Sequence, residues 1–437
     1  MVGVRRKIYF VIYRVLMKNT RLTSNTIVLT IGSIVSNGAS VAITAICARV
    51  FAPNEFGNLM SAYALATACI LIAGSGIPDH LTRSIAANTA KKTIPMPLRQ
   101  SLRFLTGIGA CAALMVFLIG LLWRSSNAQA GLFCMIASVW MVPFSAIAWA
   151  LAVFDGFQRM RLSSFFRFSV EPAKLAILGI LAYACTSISG KTVMTAWAFN
   201  WFLFSIAAVA VAFYYLRKEG INNIHGTGES TRPRFFSKSL PYLAPSISYA
   251  LVPMLSLPAV ALLSSNVESA NLAAVLPFIA LGPLVYIPFS IAFFPNIVSR
   301  EAQGVASLKS VTKSILAIGI TNTALLACVA WLGQELINIF MGTKYSTAVP
   351  ILWVLAIAAY FDQFRFAIDP FLKAKGLALY ITRAEIVRFI FCLILFPVLI
   401  PRYGALGCVA VLCIANVSAF VIRIRNVRRI QREIAHA

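Results

Sequence analysis

The sequence predicts an all-α polytopic membrane protein with twelve transmembrane helices in two six-helix lobes. Hydrophobic residues make up 60% of the 437 residues and charged residues only 12%, a balance that soluble domains do not reach. Apolar segments of about 20 residues, the length that crosses a bilayer core, recur along the chain. A polar stretch, 217–238, separates six of them from six others. Its glycines, its proline and its lack of apolar periodicity predict a flexible cytoplasmic linker.

The remaining boundaries follow from the same pattern. Segment 1–24 is too basic for a cleaved signal peptide, and its periodicity favours an interfacial helix on the cytoplasmic leaflet, with a disordered basic tail as the alternative. The N-terminal lobe is predicted over 25–216, the C-terminal lobe over 239–422, and a basic cytoplasmic tail over 423–437. The predicted spans are 25–48, 58–77, 103–123, 132–154, 164–186, 193–216, 239–263, 270–297, 311–332, 347–370, 377–400 and 404–422.

The net charge of +25 is explained by topology. With these spans, only five of the 38 Lys and Arg residues fall in outward loops, and most of the others fall in cytoplasmic segments. This asymmetry follows the positive-inside rule and predicts that both termini are cytoplasmic. We therefore expect no nucleic-acid partner.

The cysteine and histidine pattern predicts neither a metal site nor a disulfide framework. All nine cysteines lie in apolar spans without a CxxC pair, and the three histidines are far apart in sequence. We expect the cysteines to act as small apolar residues.

The two halves share a short internal sequence similarity. Segment 55–59, EFGNL, follows the first span, and segment 268–272, ESANL, follows the seventh. Six spans per repeat give both copies one orientation, with an axis along the membrane normal, as in rocking transporters. Chance similarity is the alternative. Eight of the nineteen prolines fall within 241–295, so we expect spans seven and eight to bend during transport and line the cavity, against the alternative of static kinks.

Charged residues inside spans are the candidate functional residues, because a charge at the centre of a spanning helix costs at least about 2.5–3.5 kcal/mol. Glu171 and Lys174 lie three residues apart on one face of the fifth span, with Lys174 near the midplane. In the tenth span, segment 362–369 carries Asp362, Arg365 and Asp369 on one face. One interpretation is self-neutralising packing. The other is that Lys174 and Arg365 face a cavity and meet an anionic group, with the carboxylates coupling to an ion.

Two further features complete the candidate set. Arg83, in the loop after the second span, is a cavity candidate whose place at a helix end also fits an interfacial anchor. Lys191 follows Gly190 without the upstream glycine of a phosphate-binding loop. The outward loops are also too short for the extramembrane catalytic surface of a polymerase or ligase. We therefore predict no catalytic residues.

The chain resembles the polysaccharide transporters of the O-antigen flippase (Wzx-type) group. The resemblance rests on segment 48–57, ARVFAPNEFG, on 74–79 followed by Arg83, and on 375–376 followed by 400–407, IPRYGALG. The six-plus-six pattern of spans extends it over nearly the whole chain.

This resemblance implies the multidrug/oligosaccharidyl-lipid/polysaccharide exporter fold, with two lobes around a central cavity. It implies a flippase in the bacterial inner membrane that moves polyprenyl-diphosphate-linked oligosaccharide by alternating access, for O-antigen or exopolysaccharide export. Expected partners are the lipid-linked oligosaccharide, membrane lipids and polysaccharide polymerase or export machinery. No cofactor is expected, and coupling to an ion or proton stays open. The alternatives are a multidrug-type exporter of the same fold and a membrane glycan polymerase or ligase.

Overall fold

The fold is helical throughout the part of the chain that the structure describes. The computed structural model describes residues 20–74, 77–78, 81–82, 85, 98–157, 159–184, 188–218, 252, 254–279, 286, 308–375 and 377–436, and none of these lies in a strand. The helices are α1 Thr20–Val50, α2 Pro53–Gly74, α3 Leu98–Arg124, α4 Ala128–Ser138, α5 Met141–Gly156, α6 Met160–Phe168, α7 Val170–Ala184, α8 Gly190–Lys218, α9 Met254–Leu263, α10 Asn266–Ile279, α11 Leu308–Phe340, α12 Val349–Asp362, α13 Arg365–Ala374 and α14 Ala378–His436, with a 3₁₀ helix at Thr343–Ala348.

Seven helical segments among the described residues are long and apolar enough to cross a membrane. The longest, Leu379–Ile430, has 52 residues and consists of two helices that meet at a kink at Gly404, one over most of the eleventh predicted span and the other over the twelfth. The fold class is therefore that of a polytopic α-helical membrane protein, as predicted, whereas the count of twelve spans remains a prediction. The seven segments are Val28–Val50, Leu98–Arg124, Ala128–Gly156, Gly190–Lys218, Val311–Phe340, Thr343–Leu372 and Leu379–Ile430.

Several predictions fall on residues outside the described ranges. They concern 1–19 of the interfacial segment, 219–238 of the linker, and six of the eight prolines within 241–295. Of the other two, Pro258 lies within α9 and Pro277 within α10. The predicted bending of the seventh and eighth spans therefore stays a prediction.

The turn between α1 and α2 is shorter than the sequence indicates. We expected an outward loop through Gly57 and a span that starts at Asn58, but α2 begins at Pro53 and only Phe51 and Ala52 are non-helical. Proline is favoured in the first turn because its missing N–H has no intrahelical partner there. Gly57 consequently lies within α2.

The lobes contact each other at the end of the spans that the sequence predicts to face outward. A Cβ on Gly57 would lie 1.9 Å from the backbone oxygen of Asn266, so only glycine allows α2 and α10 to approach this closely. One turn further along α2, the hydroxyl groups of Ser61 and Ser269 are 2.7 Å apart. A continuous apolar core extends from α1 and α2 into α10 and α12. These contacts join the two lobes at the end that is predicted to face outward.

Side chains of both lobes add hydrogen bonds between the lobes at this end. The Arg49 guanidinium donates to the backbone oxygens of Ile339 and Phe340, at the end of α11. The Lys344 ammonium donates to the backbone oxygen of Phe51 over 2.6 Å. Both cations were predicted in outward loops, and both satisfy carbonyl groups at helix ends that would otherwise lack partners.

The two similar segments, 55–59 and 268–272, also make similar contacts in the structure. The Glu55 carboxylate accepts a hydrogen bond from the backbone N–H of Gly190, at the start of α8, over 2.6 Å. The Glu268 carboxylate accepts one from the backbone N–H of Ala405, in the part of α14 that follows Gly404, over 2.9 Å. Each carboxylate satisfies a free N–H at a helix start, where a negative charge is favourable. The two copies therefore perform the same structural task in their lobes.

The final helix continues past the predicted end of the last span. Helix α14 runs to His436, through the residues predicted as a basic tail. Val427 and Ile430 are buried in an apolar cluster with residues of α11 and α13. Arg423, the first residue of the predicted tail, is buried as well. The start of the predicted tail is thus packed helix.

We predict that Gly404→Ala destabilises the protein. Gly404 has φ +58° and ψ −135°, and an added Cβ would lie 2.6 Å from the Glu268 carboxylate. The backbone strain alone is about 1–3 kcal/mol, because residues other than glycine rarely adopt this combination of φ and ψ, and displacement of Glu268 would expose the start of the helix. The midpoint of thermal unfolding in detergent measures the change. Gly107→Ala is the control, because a Cβ there meets no atom within 4 Å. Equal midpoints for the two variants would contradict the prediction.

Candidate functional site

Lys174 is a fully buried cation in the N-terminal lobe. It lies on α7, and its side chain is only 1% exposed. Its ammonium group donates to the Glu171 carboxylate over 2.7 Å and to the Tyr63 hydroxyl over 3.2 Å. The pairing of Glu171 with Lys174, expected from their spacing of three residues, is therefore present. Burial of the ammonium is tolerated because a carboxylate and a hydroxyl replace its water.

Aromatic rings surround the Lys174 ammonium. Its nitrogen is 5.0 Å from the ring centre of Tyr63, 4.9 Å from that of Trp201 and 5.7 Å from that of Trp197. All three distances lie within the range of cation–π attraction. We call Lys174, Glu171, Tyr63, Trp197 and Trp201 the lysine cage. Sequence reasoning missed its rings, because they come from α2 and α8 and no local pattern links them to α7.

One donor of the lysine cage has no acceptor among the described residues. The indole N–H of Trp197 is buried and makes no hydrogen bond within the described part of the protein. Burying an unpaired donor costs about 1–3 kcal/mol. An oxygen-bearing ligand that reached the cage would therefore meet an ammonium, a hydroxyl and an indole N–H that has no acceptor among the described residues.

The second cluster of buried charge lies in the C-terminal lobe. Asp362 and Arg365 form an ion pair with an N–O distance of 3.1 Å, as their spacing suggests. The helix breaks between them, however, since α12 ends at Asp362 and α13 begins at Arg365. The expected continuous face from Asp362 to Asp369 is therefore interrupted. Asp369 instead pairs with Arg423 of α14 over 2.9 Å.

Helix α14 supplies the residues that connect this cluster. Glu385 pairs with Arg423 over 2.5 Å and with Arg388 over 3.2 Å, and Arg388 also reaches Asp362 over 3.3 Å. The side chains of Glu385, Arg388 and Arg423 are 2–3% exposed. Charges of alternating sign thus form a chain across α12, α13 and α14, which we call the arginine–carboxylate chain: Asp369, Arg423, Glu385, Arg388, Asp362 and Arg365.

Part of the arginine–carboxylate chain could have been predicted from the sequence. Glu385 and Arg388 are three residues apart inside the eleventh predicted span, the same spacing as Glu171 and Lys174. That spacing alone could have identified them. Arg423 gave no such signal, because it adjoins a run of basic residues at the end of a span. Arg83, the remaining candidate, lies outside the described residues.

A protein-family model described as "Polysaccharide biosynthesis protein" matches residues 22–301 of this chain. None of the curated protein sequences matches the chain significantly.

Solved transporter structures share the fold. An inward-facing multidrug resistance MATE family transporter of the MOP superfamily has a TM-score of 0.72 at 11% identity, covering 92% of this chain and 99% of that chain. A mutant of the Vibrio cholerae MATE transporter VcmN has 0.67 at 14%, covering 94% and 97%. A MOP superfamily transporter from Pyrococcus furiosus, described as having a binding pocket of reverse polarity that suggests a different function, has 0.66 at 14%, covering 94% of each chain. These matches establish the fold and confirm the resemblance seen in the sequence.

We predict that Lys174→Met lowers stability more than Lys174→Met combined with Glu171→Gln. The single change leaves Glu171 without a counter-ion and should cost about 2–4 kcal/mol, below the cost for a fully buried partner because Glu171 is 22% exposed. The double change removes both charges. Thermal unfolding in detergent measures both variants, and Lys191→Met at an exposed position is the control. A double variant as unstable as the single one would contradict this prediction.

We predict that Glu385→Gln is more destabilising than Asp369→Asn. Glu385 pairs with two arginines and is 2% exposed. Asp369 lies at one end of the arginine–carboxylate chain, where it pairs with Arg423, and is 19% exposed. Loss of the central carboxylate should cost about 3–5 kcal/mol, because it leaves excess positive charge buried. Thermal unfolding tests the order, with the exposed Glu335→Gln as control. A larger loss of stability for Asp369→Asn than for Glu385→Gln would show that Glu385 is not the centre of the arginine–carboxylate chain.

Proposed function

The chain belongs to the polysaccharide biosynthesis protein family and has the fold of a membrane transporter, and from this premise we propose that it is a lipid-linked oligosaccharide flippase. It moves polyprenyl-diphosphate-linked oligosaccharide across the bacterial inner membrane by alternating access, for O-antigen or exopolysaccharide export. Both termini are cytoplasmic in this proposal. Its partners are the lipid-linked substrate, membrane lipids and the polymerase or export machinery. It acts as a transporter and has no catalytic residue.

One observation carries this choice over a cation exporter. The described carboxylates within the spans that are buried or half-buried (Glu171, Asp362, Asp369 and Glu385) each lie within 3.3 Å of a Lys or Arg nitrogen. A carboxylate that already has such a partner attracts an external cation weakly, because the opposite charge beside it cancels most of its field. The proteins of this fold include one whose pocket polarity is reversed, with a different suggested function. An anionic cargo fits the paired acids of this chain better.

The lysine cage supplies the chemistry that a diphosphate requires. Phosphate oxygens form strong hydrogen bonds with charged donors, and they can compete with a carboxylate for the same ammonium. Lys174 would exchange Glu171 for a phosphate oxygen, and the free indole N–H of Trp197 would donate a second hydrogen bond. Because the Lys174 side chain is 1% exposed here, this exchange belongs to a conformation in which the cage opens. Arg365 and Arg83 are further candidates for the same diphosphate.

The closed outward end supports alternating access. Contacts between the lobes at Gly57, Ser61 and Arg49 seal one end of the protein, and they must separate if cargo is released on that side. The pair of carboxylates at Glu55 and Glu268 stabilises corresponding helix starts in the two lobes. Each lobe can thus keep its own structure while the two rock against each other.

A multidrug-type exporter is the second candidate, favoured by the aromatic rings of the lysine cage. Tyr63, Trp197 and Trp201 form a surface on which an organic cation could bind if Lys174 moved away. In that function Glu171 would bind the drug. The two candidates therefore predict opposite effects of Lys174, which would be required for a flippase and inhibitory for a cation exporter.

We predict that a disulfide between Ser61→Cys and Ser269→Cys stops transport. The two hydroxyl oxygens are 2.7 Å apart, so an oxidant should join the cysteines across the lobes and hold the outward end closed. The amount of surface polysaccharide that cells export measures this inhibition, and a reductant should restore export. Each single cysteine variant is a control for the substitution itself. Full export with the cross-link formed would argue against rocking at this end.

We predict that depletion of the protein traps lipid-linked oligosaccharide in the cytoplasmic leaflet and abolishes surface polysaccharide. The native chain should restore export and Lys174→Ala should not, with the exposed Lys191→Ala as matched control. Leaflet-specific labelling of the glycan measures its location.

Two other outcomes would reject the flippase. Single repeat units that accumulate in the outer leaflet would indicate a polymerase or ligase. Normal glycan together with increased sensitivity to cationic toxins would indicate the multidrug exporter.

A further inference from the structure

A basic groove runs along the cytoplasmic end of α14, outside both charge clusters. It has a volume of about 1300 Å³ and lies between the first turns of α14 and its last part. Five arginines line it: Arg383, Arg425, Arg428, Arg429 and Arg432. No Asp or Glu occurs among the described residues that line it. The described residues that line the groove therefore carry a net positive charge.

The arginines form an ordered row. Arg425, Arg428 and Arg432 lie at i, i+3 and i+7, on one face of α14, over about 10 Å of helix. All three are exposed, whereas Val427 and Ile430 between them are packed into the apolar cluster. The packing of Val427 and Ile430 holds this face of α14 outward. Topology explains why basic residues occur at this end of the protein, but it does not require them to converge on one groove.

Most of the other residues that line the groove are apolar. Val387, Phe420 and Val421 line it beside the arginines, and Val421 is 55% exposed. The two walls are joined beneath the groove by the buried ion pair of Glu385 and Arg423. A ligand that fits both surfaces carries phosphate on one side and hydrocarbon on the other.

We propose that this groove binds an anionic phospholipid of the cytoplasmic leaflet. The headgroup phosphate lies against Arg425, Arg428 and Arg432, and the acyl chains lie along Val387, Phe420 and Val421. Charge complementarity selects the headgroup, since basic grooves at the cytoplasmic face of spanning helices attract anionic lipids. The lipid bridges the two walls of α14 above the arginine–carboxylate chain. The site is separate from the lysine cage, and its occupant is not the transported lipid.

Photo-cross-linking tests this site in the full chain. The photoreactive residue p-benzoylphenylalanine replaces Val421, and in a second protein Leu122, which is 75% exposed near the outward end of α3. Both proteins are placed in nanodiscs that contain phosphatidylglycerol and phosphatidylcholine. Mass spectrometry measures the ratio of the two lipid adducts against the ratio in the disc. We expect several-fold enrichment of phosphatidylglycerol at position 421 and none at position 122.

Charge variants show whether the arginines cause the enrichment. Combining Arg425→Gln, Arg428→Gln and Arg432→Gln should lower the adduct ratio at position 421 to that of the disc, whereas the three corresponding Lys variants should keep it, because they retain the charge. Arg124→Gln, Lys191→Gln and Arg402→Gln together remove the same charge from exposed outward positions and should leave the ratio unchanged.

Three results would overturn the proposal. They are no enrichment in the native background, an equal loss with the outward control, and displacement of phosphatidylglycerol by a trace of polyprenyl diphosphate. The last result would assign the groove to the transported lipid. Cross-linking needs no transport, so it reports on the groove even if the flippase proposal fails.

Discussion

The pairing of buried charges is the constraint on which the rest of this structure depends. A lone charge in the low-dielectric interior of a membrane protein is expensive, so each one must find a partner or water. Lys174 finds Glu171 and Tyr63 in one lobe, and Glu385 finds Arg388 and Arg423 in the other. The pairs that join different helices, such as Asp369 with Arg423 and Asp362 with Arg388, fix how those helices pack, because a shift of one helix would separate the charges.

The two lobes satisfy this constraint in different ways. In the N-terminal lobe, Lys174 and Glu171 are neighbours on one helix, and rings from α2 and α8 complete the surroundings of the ammonium. The pair can therefore survive movement of those helices. In the C-terminal lobe, Arg423 and Arg388 join three helices through alternating charges. Charges thus link three helices of that lobe, in addition to its apolar core, whereas the described residues of the lysine cage form one ion pair. The cage is thus the better candidate for a site that changes partners during transport.

Symmetry between the lobes is preserved in their architecture and lost in their chemistry. The carboxylates of Glu55 and Glu268 cap corresponding helix starts, and Gly57 allows the lobes to meet at the outward end. The charge clusters do not correspond, because one centres on a lysine and the other on a chain of arginines. A repeated scaffold with two unlike interiors suits a transporter whose lobes move as similar bodies while one of them recognises the cargo.

The sequence by itself determined the helical membrane class, most of the described helix positions and the close pairs Glu171–Lys174 and Asp362–Arg365. These properties depend on hydrophobicity along the chain and on spacing within one helix, both of which are local. Only the tertiary structure decided that Tyr63 and Trp201 enclose Lys174, that Asp369 turns to Arg423, and that α14 continues as a packed helix. Those contacts join distant residues: Asp369 and Arg423 are 54 positions apart, and Tyr63 and Lys174 are 111 positions apart. Local patterns carry no information about which distant helices become neighbours, because that choice is made by packing.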